Sequence, residues 1–183
     1  MLIDVSRSWL LVVDVQEKLV PAVFQHERFV GDCSWLIALA QTLAVPVVFS
    51  EQYPQGLGHT LPALRELAPA ARVVDKVHFS CTAAACLPPE LLAERDQIVV
   101  TGMEAHVCVL QTVLGLLEQG RQVFVVADVI TSRNPRDIEL AIERMRAAGA
   151  TVVSREMVLF EWLRQAGSPL FKTISKRFLQ RQA

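Results

Sequence analysis

Three residues of complementary chemistry stand at matching points of this sequence: a carboxylate, an amine and a thiol. Asp14 interrupts the apolar run Trp9-Leu-Leu-Val-Val-Asp14, where an unpartnered carboxylate is costly to bury. Lys76 closes the short run Arg72-Val-Val-Asp-Lys76. Cys108 falls in the first turn of a helix entered from Gln97-Ile-Val-Val-Thr101, where free N–H groups and the helix dipole favour an anion and lower a thiol's pKa. Gln111, Thr112 and Gly115 share its side of that helix, whereas Leu110, Val113, Leu114 and Leu117 form the apolar side. Each residue also has an ordinary reading: an Asp capping a loop amide, a solvated surface lysine, a cysteine packed as a small hydrophobe. Taken together they make a nucleophilic constellation. The carboxylate would accept the thiol proton, and the ammonium would stabilise the thiolate and hold the base ionised.

The elements that must position these groups alternate. Trp9–Asp14, Val45–Ser50, Gln97–Thr101 and Gln122–Ala127 are near-continuous apolar runs of strand length, as expected for parallel strands covered on both faces. Arg72–Lys76 and Thr151–Val153 are shorter strands. Residues 28–43 carry a helical stripe of Phe29, Val30, Leu36, Leu39, Ala40 and Leu43. Glu51–His59, with Pro54, Gly56 and Gly58, reads as a loop, and short helices begin near Pro62 and at Leu87-Pro-Pro-Glu90. Residues 106–119 are helical with Gly120 as the stop; Asn134-Pro135 caps a helix running to Gly149, and Ser168-Pro169 starts a terminal helix. Strand–helix alternation without repeats or a linker predicts one α/β domain over residues 1–183. It is a three-layer α/β/α sandwich around a six-stranded, mostly parallel sheet. Ligands of such sheets bind at the carboxyl ends of the strands. That edge holds Asp14, Glu51, Lys76, the stretch Gly102 to Cys108, and Asp128.

Composition narrows the classes. The 183 residues are 52% hydrophobic and 20% charged, so folding buries about 70% of the unfolded chain's surface in one large core. Eighteen basic against nineteen acidic residues leave a net charge of -1, which argues against a nucleic-acid partner. Apolar runs all stop short of the ~18 residues of a membrane span, so no membrane partner is expected. The start, Met1-Leu-Ile-Asp-Val-Ser, lacks the basic and apolar regions of a secretory leader. Cys33, Cys81, Cys86 and Cys108 show no C-x-x-C spacing, and free thiols in a cytoplasmic protein are expected.

The ordered motifs Val13-Asp14-Val15-Gln16-Glu17-Lys18, Glu51-Gln52-Tyr53-Pro54-Gln55-Gly56-Leu57-Gly58, Asp75-Lys76-Val77-His78-Phe79-Ser80 and Gly102-Met103-Glu104-Ala105-His106-Val107-Cys108 extend over most of the chain. Val125-Val126-Ala127-Asp128 with Thr131-Ser132-Arg133 completes the set. It resembles the isochorismatase-like cysteine hydrolase superfamily, and within it the isochorismatase domain-containing proteins. The resemblance implies a six-stranded parallel sheet, an Asp–Lys–Cys triad falling on Asp14, Lys76 and Cys108, and a cis Met103–Glu104 peptide. That peptide would aim the Glu104 amide, beside that of Cys108, at a developing oxyanion. It implies hydrolysis of a small amide-type C–N bond through a Cys108 thioester, and a homo-oligomer. Phe24, Tyr53, Phe79 and His106 are candidate pocket residues, each with packing or helix capping as the ordinary alternative.

The metal-dependent nicotinamidases of this superfamily carry Asp-x-His after the second strand, where this sequence reads Glu51-Gln52-Tyr53. No metal and no cofactor are therefore expected, and His59 reads as a solvated loop residue. Two alternatives remain: a silent scaffold that keeps the fold, and a nicotinamidase-like amidase. The tail joins Arg164, Lys172, Lys176, Arg177 and Arg181 to an apolar stripe of Leu170, Phe171, Ile174, Phe178 and Leu179. Packing on its own domain or on a sister subunit is expected in preference to a membrane.

Overall fold

A computed structural model describes residues 1–179 of the chain. Six strands form one parallel sheet: β1 (Ser8–Val13), β2 (Val47–Gln52), β3 (Arg72–Lys76), β4 (Gln97–Met103), β5 (Gln122–Thr131) and β6 (Thr151–Val153). Their order across the sheet is β3-β2-β1-β4-β5-β6. Every ladder is parallel, where the sequence led us to expect a mostly parallel sheet.

Alternation along β1 shows why both faces need cover. Leu10 and Val12 enter a core built with Phe29, Cys33 and Leu36 of helix α1 (His26–Thr42) and Val158, Leu159 and Trp162 of α7 (Arg155–Leu163). Trp9, Leu11 and Val13 enter the opposite core with Leu110, Val113 and Leu116 of α5 (Leu110–Glu118) and Ala141 and Met145 of α6 (Pro135–Ala147). A strand with apolar side chains on both faces is stable only between two helical layers. Short helices α2 (Pro54–Leu57), α3 (Pro62–Leu67), α4 (Pro89–Glu94) and α8 (Pro169–Ile174) complete the connections. Among the described residues no helix is long and apolar enough to cross a membrane.

Strand direction of growth reverses at β1, which pairs with β2 on one side and β4 on the other; Val13 lies opposite both Ser50 and Gly102. That switch point opens a crevice at the carboxyl edge. Gly102 is confined there by geometry. Its φ is 122°, and a Cβ on it would lie 2.2 Å from the Val13 carbonyl oxygen.

Several boundaries differ from the sequence reading. The second strand continues through Glu51 and Gln52, and the supposed loop after it contains α2. The fifth strand runs on to Thr131 rather than stopping at Ala127, because its ladder to β4 resumes beyond a register shift at Val100/Gly102. The helix expected over residues 106–119 opens as a π turn, Ala105–Val109, before α5 begins. Helix α7, capped by Ser154 accepting from the Met157 amide, lies in a segment read without an element. The basic tail folds back on its own core: Ile174 is buried, Trp35 meets Phe178 edge to face at 5.3 Å, and Trp35 Nε1 donates to the Phe178 carbonyl. Arg181 lies outside the described residues.

Candidate active site

The first residue after β1 is Asp14, in the left-handed region with φ 52°. Its amide donates to the Ser50 carbonyl at 3.1 Å, and its side chain turns inward, fully buried. Ser50 Oγ donates to Asp14 Oδ1 at 2.7 Å, and Lys76 Nζ donates to Asp14 Oδ2 at 2.6 Å. The pair is closed to solvent, with side-chain exposures of 0% for Lys76 and 1% for Asp14. Burial alone would lower the lysine pKa, but the Asp14 charge and the hydrogen bond to it outweigh burial and hold it above its ordinary value. Lys76 is therefore an ammonium at neutral pH.

Gln52, the last residue of β2, joins the amine to the thiol. Its Oε1 accepts from Lys76 Nζ at 2.7 Å and from Cys108 Sγ at 3.9 Å. Its Nε2 donates to the Val77 carbonyl at 2.8 Å. Gln16, two residues beyond Asp14, clasps the Gln52 backbone from both ends, accepting from its amide at 2.7 Å and donating to its carbonyl at 3.0 Å. Asp14, Lys76 and Cys108, which lie far apart in sequence, thus meet in one hydrogen-bonded cluster at the carboxyl edge.

Cys108 is 7% exposed. Burial, and then the Asp14 charge, push its thiol well above the ordinary value, against the pull of Lys76. The pKa lowering expected from a helix start is therefore overturned. Removal of the sulfur from water outweighs the partial charge of a single turn, and the nearest full negative charge opposes ionisation.

Glu104 follows a cis peptide bond, Met103–Glu104. Its amide donates to no group among the described residues, and its carboxylate accepts from Arg133 Nε at 2.8 Å. His106 Nδ1 lies 2.9 Å from Ser132 Oγ and its Nε2 4.0 Å from Asp137. Phe24 is half exposed beside a surface cavity of about 200 Å³ lined with Arg28, Phe29 and Asp128, none of which belongs to the Asp14 cluster. Tyr53 and Phe79 are half exposed next to the cluster in the chain. The Tyr53 amide donates to the Lys76 carbonyl, and its ring lies against Gly56.

A second acidic group shares the edge. Buried Glu51 accepts from the Thr60 amide at 2.7 Å and pairs with Nδ1 of exposed His59 at 2.9 Å. Burial would raise the Glu51 pKa, but these bonds outweigh it and hold it below its ordinary value; the same carboxylate raises His59. His59 is thus exposed, as read, but not unpartnered. No group of three or more His, Cys, Asp and Glu side chains among the described residues is placed to hold a metal ion.

Gln16, Ser50 and Gln52 escaped the sequence reading. The signal for Ser50 and Gln52 is the polar run Ser50-Glu51-Gln52 closing an apolar strand, which passes for the start of a loop unless the strand is known to continue; Gln16 carries no signal beyond its place two residues after Asp14.

The isochorismatase domain family model matches residues 8–157. Isochorismatase family protein 1A from Dictyostelium discoideum is 35% identical over 174 residues, spanning 92% of this chain and 84% of that protein. The MAR1 ribonuclease structure from Caenorhabditis elegans matches with a TM-score of 0.91 and 35% identity, over 100% of this chain and 95% of the other. YcaC from Pseudomonas aeruginosa, described with hexane-2,5-diol and covalent acrylamide, matches with a TM-score of 0.85 and 25% identity, over 97% of this chain and 92% of the other.

Proposed function

Because the chain belongs to the isochorismatase family, a hydrolase family, we propose that it is a metal-independent cysteine hydrolase of small amide-type C–N substrates, with Asp14, Lys76 and Cys108 as its triad. The observation that carries this reading is the sealed Lys76–Asp14 pair linked through Gln52 to the Cys108 sulfur. A buried ion pair is a weak source of stability, so its place beside a thiol is better accounted for by chemistry.

Cys108 Sγ attacks the substrate carbonyl carbon as its proton passes to Asp14. A general base of this kind suits a thiol that burial keeps protonated at rest. The carbonyl oxygen takes up negative charge facing the Glu104 and Cys108 amides, which form the oxyanion hole. Asp14 then protonates the departing nitrogen, the C–N bond breaks, and a thioester remains on Cys108. Water attacks the thioester while Asp14 takes its proton; the C–S bond breaks and Asp14 returns the proton to sulfur. The ammonium of Lys76 stays paired with Asp14 and opposes the charge that develops on sulfur. Tyr53 and Phe79, which follow Gln52 and Lys76 in the chain, line the substrate pocket together with His106 and Phe24. Cytoplasmic location and a homo-oligomer belong to the same proposal; four free cysteines support the first, and light scattering of the purified protein tests the second.

The test is ammonia release from a panel of nicotinamide, ureido acids and carbamoyl compounds, with wild type and Cys108→Ala side by side. Release from at least one amide, lost in the variant, is expected. A structured RNA is included because one relative is described as a ribonuclease. RNA cleavage with no amide turnover would overturn the amidase reading.

A further inference from the structure

Gln52 has every polar group of its side chain engaged, and the partners fix which way the amide points. The Val77 carbonyl can only accept, so the group facing it at 2.8 Å is the NH2. The Lys76 ammonium can only donate, so the group facing it at 2.7 Å is the oxygen. The amide cannot be flipped without setting donor against donor and acceptor against acceptor. The double clasp by Gln16 fixes the backbone that carries it. Its Oε1 is thus a stationary neutral acceptor between the ammonium and the thiol.

We propose that Gln52 is a positioning residue: its amide oxygen holds Lys76 toward Asp14 and accepts the hydrogen bond of the Cys108 thiol, keeping the sulfur protonated until substrate enters. The inference rests on the cysteine-hydrolase reading and adds a residue to it. Ionising Cys108 would turn a donor into an anion 3.9 Å from the carbonyl-type oxygen of Gln52, an unfavourable contact. Meanwhile the N–H of Lys76 that points at Gln52 is unavailable to a thiolate. Both effects favour thiol over thiolate. A glutamate here would add a second carboxylate and compete with Asp14 for the same ammonium; the neutral amide avoids that competition.

The charged and titratable groups around Cys108 come from four elements. Asp14 stands at the end of β1 and Lys76 at the end of β3. Cys81 lies on the segment after β3, its amide donating to Thr112 Oγ1 one turn beyond Cys108. Glu104 and His106 precede Cys108 in its own turn, their side chains held by Arg133 and Ser132. Of these, Lys76 bonds to Gln52 and Asp14 bonds to Lys76, and both are left intact in the test.

The test is the rate of iodoacetamide modification of Cys108 at pH 8, resolved by peptide mass spectrometry, in wild type, Gln52→Leu and Gln52→Glu. Below the thiol's pKa this rate follows the thiolate fraction, so one unit of pKa reads as a roughly tenfold change. Gln52→Leu removes the acceptor and frees a Lys76 N–H for the sulfur, so its rate rises by about tenfold. Gln52→Glu adds negative charge and slows the reaction by a similar factor. A residue with only a structural role would loosen the site in both variants and move both rates the same way. Shifts in the same direction, or none in either variant, would overturn the inference. If Gln52→Leu does not fold, Gln52→Glu decides alone, and a rate equal to or above wild type overturns it. The hydrolase reading fails by a different sign, undiminished turnover by Cys108→Ala, so the two failures are distinguishable.

Discussion

Two ion pairs sit at the same edge of one sheet and differ in almost everything but chemistry. Lys76–Asp14 is closed at 2.6 Å with neither side chain touching water, and Ser50 and Gln52 supply its remaining bonds. His59–Glu51, at 2.9 Å, has its carboxylate buried but its imidazole 75% exposed. Desolvation makes the first pair obligatory, because either charge left alone would be buried without compensation. Solvent makes the second optional, because water replaces the imidazole when it leaves. The lesson is that enclosure, more than the presence of opposite charges, marks a pair as part of a chemical site.

The largest expected effect comes from breaking the closed pair. Lys76→Met strands Asp14 and is expected to cost about 3–5 kcal/mol of folding stability, measured by urea denaturation, and to abolish amide turnover. The double variant Asp14→Ala/Lys76→Met recovers much of that stability but none of the turnover. A double variant no more stable than Lys76→Met would contradict the argument from desolvation. Next in size is Ser50→Ala, which removes one donor from a buried carboxylate and is expected to cost about 1–3 kcal/mol. Equal stabilities of Ser50→Ala and wild type would mean that Asp14 Oδ1 has another partner.

The smallest effect belongs to the open pair, and it depends on pH. Glu51 raises the His59 pKa above its ordinary 6.5, so the pair's contribution is fully present below that value and is lost as pH rises through the raised one. Melting temperatures of wild type and His59→Ala should therefore differ most in mildly acidic buffer and converge in alkaline buffer. Lys76 titrates above its ordinary 10.5, so its ammonium adds no such slope near neutrality. A gap between wild type and His59→Ala that widened with pH would reverse the assignment.

Much of this arrangement is legible in the sequence, for physical reasons. Buried strands such as Trp9–Val13 announce themselves because both faces need apolar side chains, and Asp14 and Lys76 stand out against that pattern. The register that sets Val13 between Ser50 and Gly102 is another matter, since it depends on pairings between distant segments. Gln52 was therefore invisible as the link between Lys76 and Cys108, although its motif was in plain view. The state of the Cys108 thiol was also misjudged from local position. A helix start is a local property, whereas burial is decided by everything that packs above it.

The central claim, that Cys108 carries the acyl group of an amide substrate, is tested most directly by acid-quenching the enzyme during turnover of an amide it hydrolyses. The quenched protein is then mapped by peptide mass spectrometry with and without neutral hydroxylamine, which cleaves thioesters. The account predicts the substrate's acyl mass on the Cys108 peptide, removed by hydroxylamine and absent from Cys108→Ala. Full ammonia release by Cys108→Ala, with no acyl group found on Cys108 in wild type, would contradict it.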